Sequence, residues 1–358
     1  MLTELAYIFL ILAIATAIVW KSCHYLEEAC HDLANCYGLP DSVKGSTVMA
    51  ISSSFPELVT IILATGVHGD FELGLATIIG SAVFNILVIP GTSVFFRPGS
   101  LHAARNVLYR EAQFYLISVL IVMLTLSFAV IYQPSTVQQF NGTLTGSLMI
   151  LPLLFYGLYI YIQYQEVRDH SPKEKHPNCS ALKSWGKLIL CMLLVTLGVE
   201  MMIRMVIDLG EMFQTPSYFW GATILAAATS IPDLFVSIKA AQRTHSSASL
   251  TNAFGSNVFD LLVVLPAGVI IAGSVVFNYP RVIPMMMFLI FATVTFLVLA
   301  RSSSELTNNN GKILLVLYAG FIVWMGTQYI GVGGPITANC SDSIGYQQLE
   351  INKPTQYG

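Results

Sequence analysis

Apolar and polar residues along this chain sort into long hydrophobic runs separated by short polar breaks, on a scale larger than a soluble helix or strand requires. The apolar segments lie near residues 5–22, 43–66, 73–96, 107–131, 144–163, 187–208, 217–240, 248–272, 282–300 and 312–331. Runs of about 20 residues match a hydrocarbon core of roughly 30 Å at the rise of an α-helix. The pattern therefore predicts ten transmembrane helices in an all-α membrane protein. One long polar break, residues 164–186 (YQEVRDHSPKEKHPNCSALKSWG), is rich in charge and proline. It divides the spans into two groups of five, residues 1–163 and 187–335, and leaves residues 336–358 as a tail. Glu4 stands before the first run with no lysine or arginine, so that run reads as a retained span rather than a signal peptide.

Composition supports the membrane class: 55% of the 358 residues are apolar and 10% charged, where a soluble domain carries about 25% charged residues. A net charge of −3 is too small to imply a nucleic acid or another charged polymer as partner, which leaves the lipid bilayer and small ions. The six cysteines are scattered and imply no disulfide framework. Cys23, His24, Cys30, His31 and Cys36 contain no CxxC-type ligand pair, and they read as helix and loop rather than as a zinc site.

Charge also orients the spans. With the 164–186 loop in the cytoplasm, only Arg204, Arg281 and Lys353 fall on the opposite side, and the other 14 of the 17 lysines and arginines collect inside. Both termini are then extracytoplasmic, as are the sequons at Asn141 and Asn339.

An internal repeat organises the ten spans. Residues 45–57 read GSTVMAISSSFPE and residues 221–233 read GATILAAATSIPD. A shift of 176 pairs Ala50 with Ala226, Ser53 with Thr229, Ser54 with Ser230, Pro56 with Pro232 and Glu57 with Asp233. After a one-residue deletion, GSAVFNILV (80–88) aligns with GSNVFDLLV (255–263), setting Ser81 opposite Ser256 and Asn85 opposite Asp260. Each half contains an odd number of spans, so the halves face opposite ways across the bilayer. Two inverted five-helix repeats form a transporter architecture, with the site near the midplane where the repeats meet.

The chemistry lies in the matched segments, 45–91 and 221–266. Pro56 and Pro232 each remove a backbone donor inside an apolar span, so both helices are expected to break there. Glu57 and Asp233 follow the prolines at membrane depth, where an ionised carboxylate costs at least about 2.5–3.5 kcal/mol unless a cation or proton balances it. Hard cations such as calcium and sodium take oxygen ligands. Ser53, Ser54, Ser81, Thr229, Ser230, Ser256, Asn85 and backbone carbonyls supply them beside the acids. A single membrane serine more often bonds back to its own helix. The symmetric duplication of unpaired acids is what favours a site. Asp70 and Glu72, and His68, His102 and His245, read as loop residues.

At these segments the sequence resembles the α-repeats of the calcium/cation antiporter superfamily, most closely its potassium-dependent sodium/calcium exchangers. GSAVFN lacks a GSN asparagine, and the second repeat ends in Asp260 where potassium-independent relatives commonly have asparagine. The resemblance implies that Glu57 and Asp233 are central calcium ligands. Ser53, Ser54, Ser81, Asn85, Thr229, Ser230 and Ser256 would complete the calcium and sodium sites, with the Ala50 and Ala226 carbonyls contributing to sodium and Asp260 to potassium. Ser52 and Ala228 stand where the family usually has glycine, a departure that bears on ion stoichiometry. The central loop is too short for the regulatory calcium-binding domains of some relatives.

The expected activity is alternating-access exchange of sodium for calcium with potassium co-transport at the plasma membrane, without enzymatic chemistry or a cofactor. A proton/calcium antiporter would use the same acids, and a cation channel is the third reading. GVHGD at 66–70 lacks the GxGD spacing of an intramembrane aspartyl protease.

Overall fold

The computed structural model describes residues 2–37, 48–96, 105–135, 140–168, 181–242, 246–302 and 306–330. Lys44, Gly45 and Thr47, most of the 164–186 loop, and the tail with its Asn339 sequon lie outside the described residues.

The chain is an integral membrane protein built mainly of helices. Among the described residues eight helices are long and apolar enough to cross a bilayer. The first is α1 (Leu2–Cys36), and α2 (Met49–Ser53) and α3 (Phe55–Gly66) follow it as two pieces of one segment. Next come α4 (Phe71–Ser93), α5 (Arg105–Tyr132), α6 (Ile150–Arg168) and α7 (Ala181–Phe213). A short α8 (Ser217–Trp220) runs through a π-helical turn at Gly221–Leu225 into α9 (Ala226–Gln242). Then α10 (Ser246–Phe259) passes through a second π-turn, Asp260–Val264, into α11 (Leu265–Ala272), followed by α12 (Tyr279–Ser302) and α13 (Asn308–Ile330).

Two expected spans are not among these eight: α3, described over 12 residues, about 18 Å of helix, and α6. The all-α expectation is corrected too: β1 (Asn141–Thr145) pairs antiparallel with β2 (Ser274–Asn278), in register from Asn141 opposite Asn278 to Thr145 opposite Ser274. Polar and glycine residues end the flanking helices there, and pairing satisfies the backbone groups that the helices leave open. Cys36 is also disulfide-bonded, whereas Cys23, Cys30 and Cys191 are free.

Burial sorts the helices into a core and a pair packed against it. The apolar stretch of α4 is 100% buried, so its sequence shows apolar residues all round rather than one stripe. Asp70 caps it by accepting from the Leu73 N–H at 2.9 Å. α9, α10 and α3 pack beside α4. Small residues permit the closest approach: a Cβ on Gly80 would stand 2.3 Å from the Ala222 carbonyl oxygen, so α4 meets the first π-turn backbone to backbone.

α1 and α7, with 35 and 33 residues, run well beyond the expected 5–22 and 187–208. They pack along each other through Ala15, Val19 and Cys23 against Val195, Val199 and Met202. At one end Lys187 meets Glu28 at 2.7 Å and Trp185 donates to the Tyr37 hydroxyl at 3.1 Å. At the other, Asp70 accepts from Ser217, and Glu72 holds Arg281 at 2.9 Å beside the β-ribbon.

Candidate cation site

The expected break at Pro56 is present and the one at Pro232 is not. Ser54, at φ −83° and ψ 6°, separates α2 from α3, and Pro56 sits at the start of α3, where the missing N–H matters little. Pro232 lies inside a continuous α9. The second half places its irregularity earlier, in the Gly221–Leu225 turn, where a Gly221 Cβ would press to 2.8 Å on the Leu73 carbonyl oxygen.

Every sequence-predicted site residue is buried, none more than 4% exposed. The two halves repeat the same local geometry. Ser53 donates to the Ala50 carbonyl at 3.2 Å, and Thr229 donates to the Ala226 carbonyl at 3.2 Å. Both hydroxyls thus bond back to their own helix. The Ala50 carbonyl also accepts the Ser54 N–H at 3.0 Å, so it can turn a lone pair to an ion only if Ser53 rotates away.

Contacts between the halves converge on Glu57. Ser81 donates to Glu57 Oε1 at 3.1 Å and accepts from the Ser230 hydroxyl at 2.8 Å. Thr229 lies against the same carboxylate. Ser54 reaches the Ser256 carbonyl at 3.5 Å and lies beside Asp260, while Ser256 donates to the Ala253 carbonyl at 3.1 Å. Asp233 and Asp260 both feel the negative charge of Glu57. Asp260 opens the second π-turn, whereas Asn85, its equivalent, sits within the regular helix α4.

Four buried oxygens in this region have no hydrogen-bond partner among the described residues: Glu57 Oε2, Asp233 Oδ1, Asp260 Oδ1 and Asn85 Oδ1. Buried acceptors are almost always satisfied. Four orphans from four neighbouring segments form an oxygen-rich environment suited to a hard cation. No trio of His, Cys, Asp or Glu side chains converges as a metal centre among the described residues, so carboxylates alone do not complete such a site. Hydroxyl, amide and carbonyl oxygens must share it.

Asn257 was missed by the sequence reading. Fully buried, it accepts from Asn85 Nδ2 at 3.0 Å through Oδ1 and donates to the Ala82 carbonyl at 3.3 Å. Its signal was the first of two mismatches between GSAVFN and GSNVFD, where asparagine stands opposite Ala82. By holding the amide NH2 of Asn85, it leaves the Asn85 carbonyl oxygen as the end directed at the site.

Comparison with known proteins bears on the family and the fold. The model of the family "Sodium/calcium exchanger protein" matches residues 7–165 and 183–327. The inner membrane protein YrbG of Escherichia coli (strain K12) is 26% identical over 330 residues, covering 89% of this chain and 96% of that protein. The sodium/potassium/calcium exchanger Nckx30C of Drosophila melanogaster is 41% identical over 86 residues, 24% of this chain and 10% of that protein. A solved structure of the sodium-calcium exchanger NCX_Mj shares the fold with a TM-score of 0.59 at 22% identity, covering 90% of this chain and 99% of that one. The chain belongs to the sodium/calcium exchanger protein family, within the calcium/cation antiporter superfamily.

Proposed function

We propose that the protein exchanges sodium for calcium, with potassium co-transported, at the buried site formed by Glu57, Asp233, Asp260 and Asn85. The observation that carries this reading is the set of four unpartnered oxygens on those residues. In this reading Glu57 and Asp233 are the central calcium ligands. Ser53, Ser54, Ser81, Thr229, Ser230 and Ser256 complete the calcium and sodium sites, Ala50 and Ala226 add carbonyls for sodium, and Asp260 serves potassium.

Exchange follows from shared ligands. Sodium and calcium compete for the same carboxylates, so one load leaves before the other binds. A site emptied of cations leaves negative charge buried, which opposes the conformational switch and couples the two fluxes. The long α1 and α7 pair is the moving part, sliding against the core of α3, α4, α9 and α10. The halves 1–163 and 187–335 act as two inverted five-helix repeats. Contacts that gather residues 70–72, 217 and 274–281 at one end, and 28–37 and 185–187 at the other, support that parity. Both termini then lie outside the plasma membrane.

Calcium uptake into proteoliposomes under imposed sodium, potassium or proton gradients tests the proposal. An outward sodium gradient, inside high, should drive uptake. Uptake driven by a proton gradient alone would convert the reading to proton/calcium antiport, and unitary currents would convert it to a channel.

A further inference from the structure

Glu27 is a buried carboxylate to which the exchange site described above assigns no task. It lies on the inward stripe of α1 with Cys23 and Val19, one and two helical turns before it, and is 9% exposed. Among the described residues no hydrogen bond or ion pair satisfies it. Cys23 stands within electrostatic reach of Glu57, Glu27 and Asp233, and Asp233 in turn feels the charge of Glu27. The other charges facing Glu27 are Glu28 on its own helix and Lys239 on α9, and α1 packs directly on α9.

The second half shows that packing does not require an acid here. The same shift of 176 that aligns the α-repeats pairs Val19 with Val195, Cys23 with Val199 and Glu27 with Ile203. Val195, Val199 and Ile203 are all fully buried. Where α7 fills this position with isoleucine, α1 carries a carboxylate that costs energy to bury and has no hydrogen-bond partner among the described residues. The sequence departs from its own symmetry toward a negative charge, on the side of the site that faces Asp233.

We propose that Glu27 is a relay carboxylate for the divalent cation, receiving calcium between Asp233 and the membrane face at which α1 ends. This rests on the exchange reading. A carboxylate on the sliding helix meets the incoming ion before the central ligands do, and its charge raises the local cation concentration at the mouth of the site. The central ligands are left intact, so Glu27 governs calcium arrival more than the maximal rate.

The test compares wild type, Glu27→Gln and Glu27→Asp in proteoliposomes, with calcium presented at each face in turn. From the face where α1 ends, Glu27→Gln should raise the half-saturating calcium concentration by about fivefold, the order expected on removing one focusing charge. The maximal rate, and half-saturation from the other face, should not move, and Glu27→Asp should stay near wild type. If Glu27→Gln does not fold, Glu27→Ile, which copies Ile203, takes its place. Unchanged half-saturation in an active protein, an equal change from both faces, or misfolding of both replacements overturns the relay and leaves the exchange reading standing. A wild type that moves no calcium overturns both.

Discussion

Ser81 and Ser230 are 149 residues apart in sequence and 2.8 Å apart in the fold, and Ser81 passes that contact on to Glu57 at 3.1 Å. One hydroxyl pair therefore ties the two halves together at the carboxylate proposed to hold calcium. Ser81→Ala leaves Glu57 Oε1 and the Ser230 hydroxyl without their shared partner, and a buried group so orphaned costs about 1–3 kcal/mol. Calcium affinity should weaken about thirtyfold, the middle of that range, with the fold kept. The concentration dependence of uptake measures it, and unaltered half-saturation would count against a calcium site at Glu57.

Glu57→Gln and Asp233→Asn remove formal charge with almost no change in size. Calcium exchanges its water shell only for ligands that supply enough oxygen charge. Each variant should lose calcium uptake altogether while purifying as a monodisperse, thermally stable protein. Wild-type flux in either would place the central site elsewhere.

Gly80 tests the packing that brings the halves together. A methyl group there meets the Ala222 backbone at 2.3 Å, and backbone cannot swing aside as a side chain can. Gly80→Ala should destabilise the protein by about 1–3 kcal/mol or more, as overpacking does. Gly320, with nothing within 4 Å of its would-be Cβ, serves as the control, and Gly320→Ala should leave the thermal midpoint unchanged. Equal midpoints for the two variants would refute the close crossing.

The eight long apolar helices and the buried position of the candidate site residues were legible in the sequence because each leaves a local mark: an apolar run, or a polar motif that appears twice. What escaped depends on contacts between distant segments. Pro56 and Pro232 look alike in sequence, yet α2 and α3 separate at Ser54 while α9 runs through Pro232. The ribbon joins Asn141–Thr145 to Ser274–Asn278 across the two halves, and no hydrophobic periodicity announces such a pairing. α1 outruns its apolar segment because its last turns, through Glu27 and Leu33, stay buried against neighbouring helices despite their charge. Asn257 lay in plain view inside GSNVFD, but only the fold shows that it reaches Asn85 and the Ala82 carbonyl.

Asp260 carries the sharpest prediction, because it differs from its equivalent Asn85 in charge and in backbone. Asn85 lies in a regular helix with its amide held by Asn257, while Asp260 begins a π-turn and its Oδ1 has no partner. π-Turns inside helices gather at functional sites, since the extra residue re-aims a side chain that a regular helix would pack. One additional buried negative charge can be balanced by one additional monovalent cation. The asymmetry thus matches a site that takes potassium alongside sodium and calcium. Asp260→Asn should keep sodium/calcium exchange running and abolish its dependence on potassium, because the amide copies Asn85 and removes the charge that potassium balances. Calcium uptake against potassium concentration, in wild type and variant, decides it. A wild type indifferent to potassium refutes the assignment, and a variant that stays potassium-dependent moves the potassium site away from Asp260.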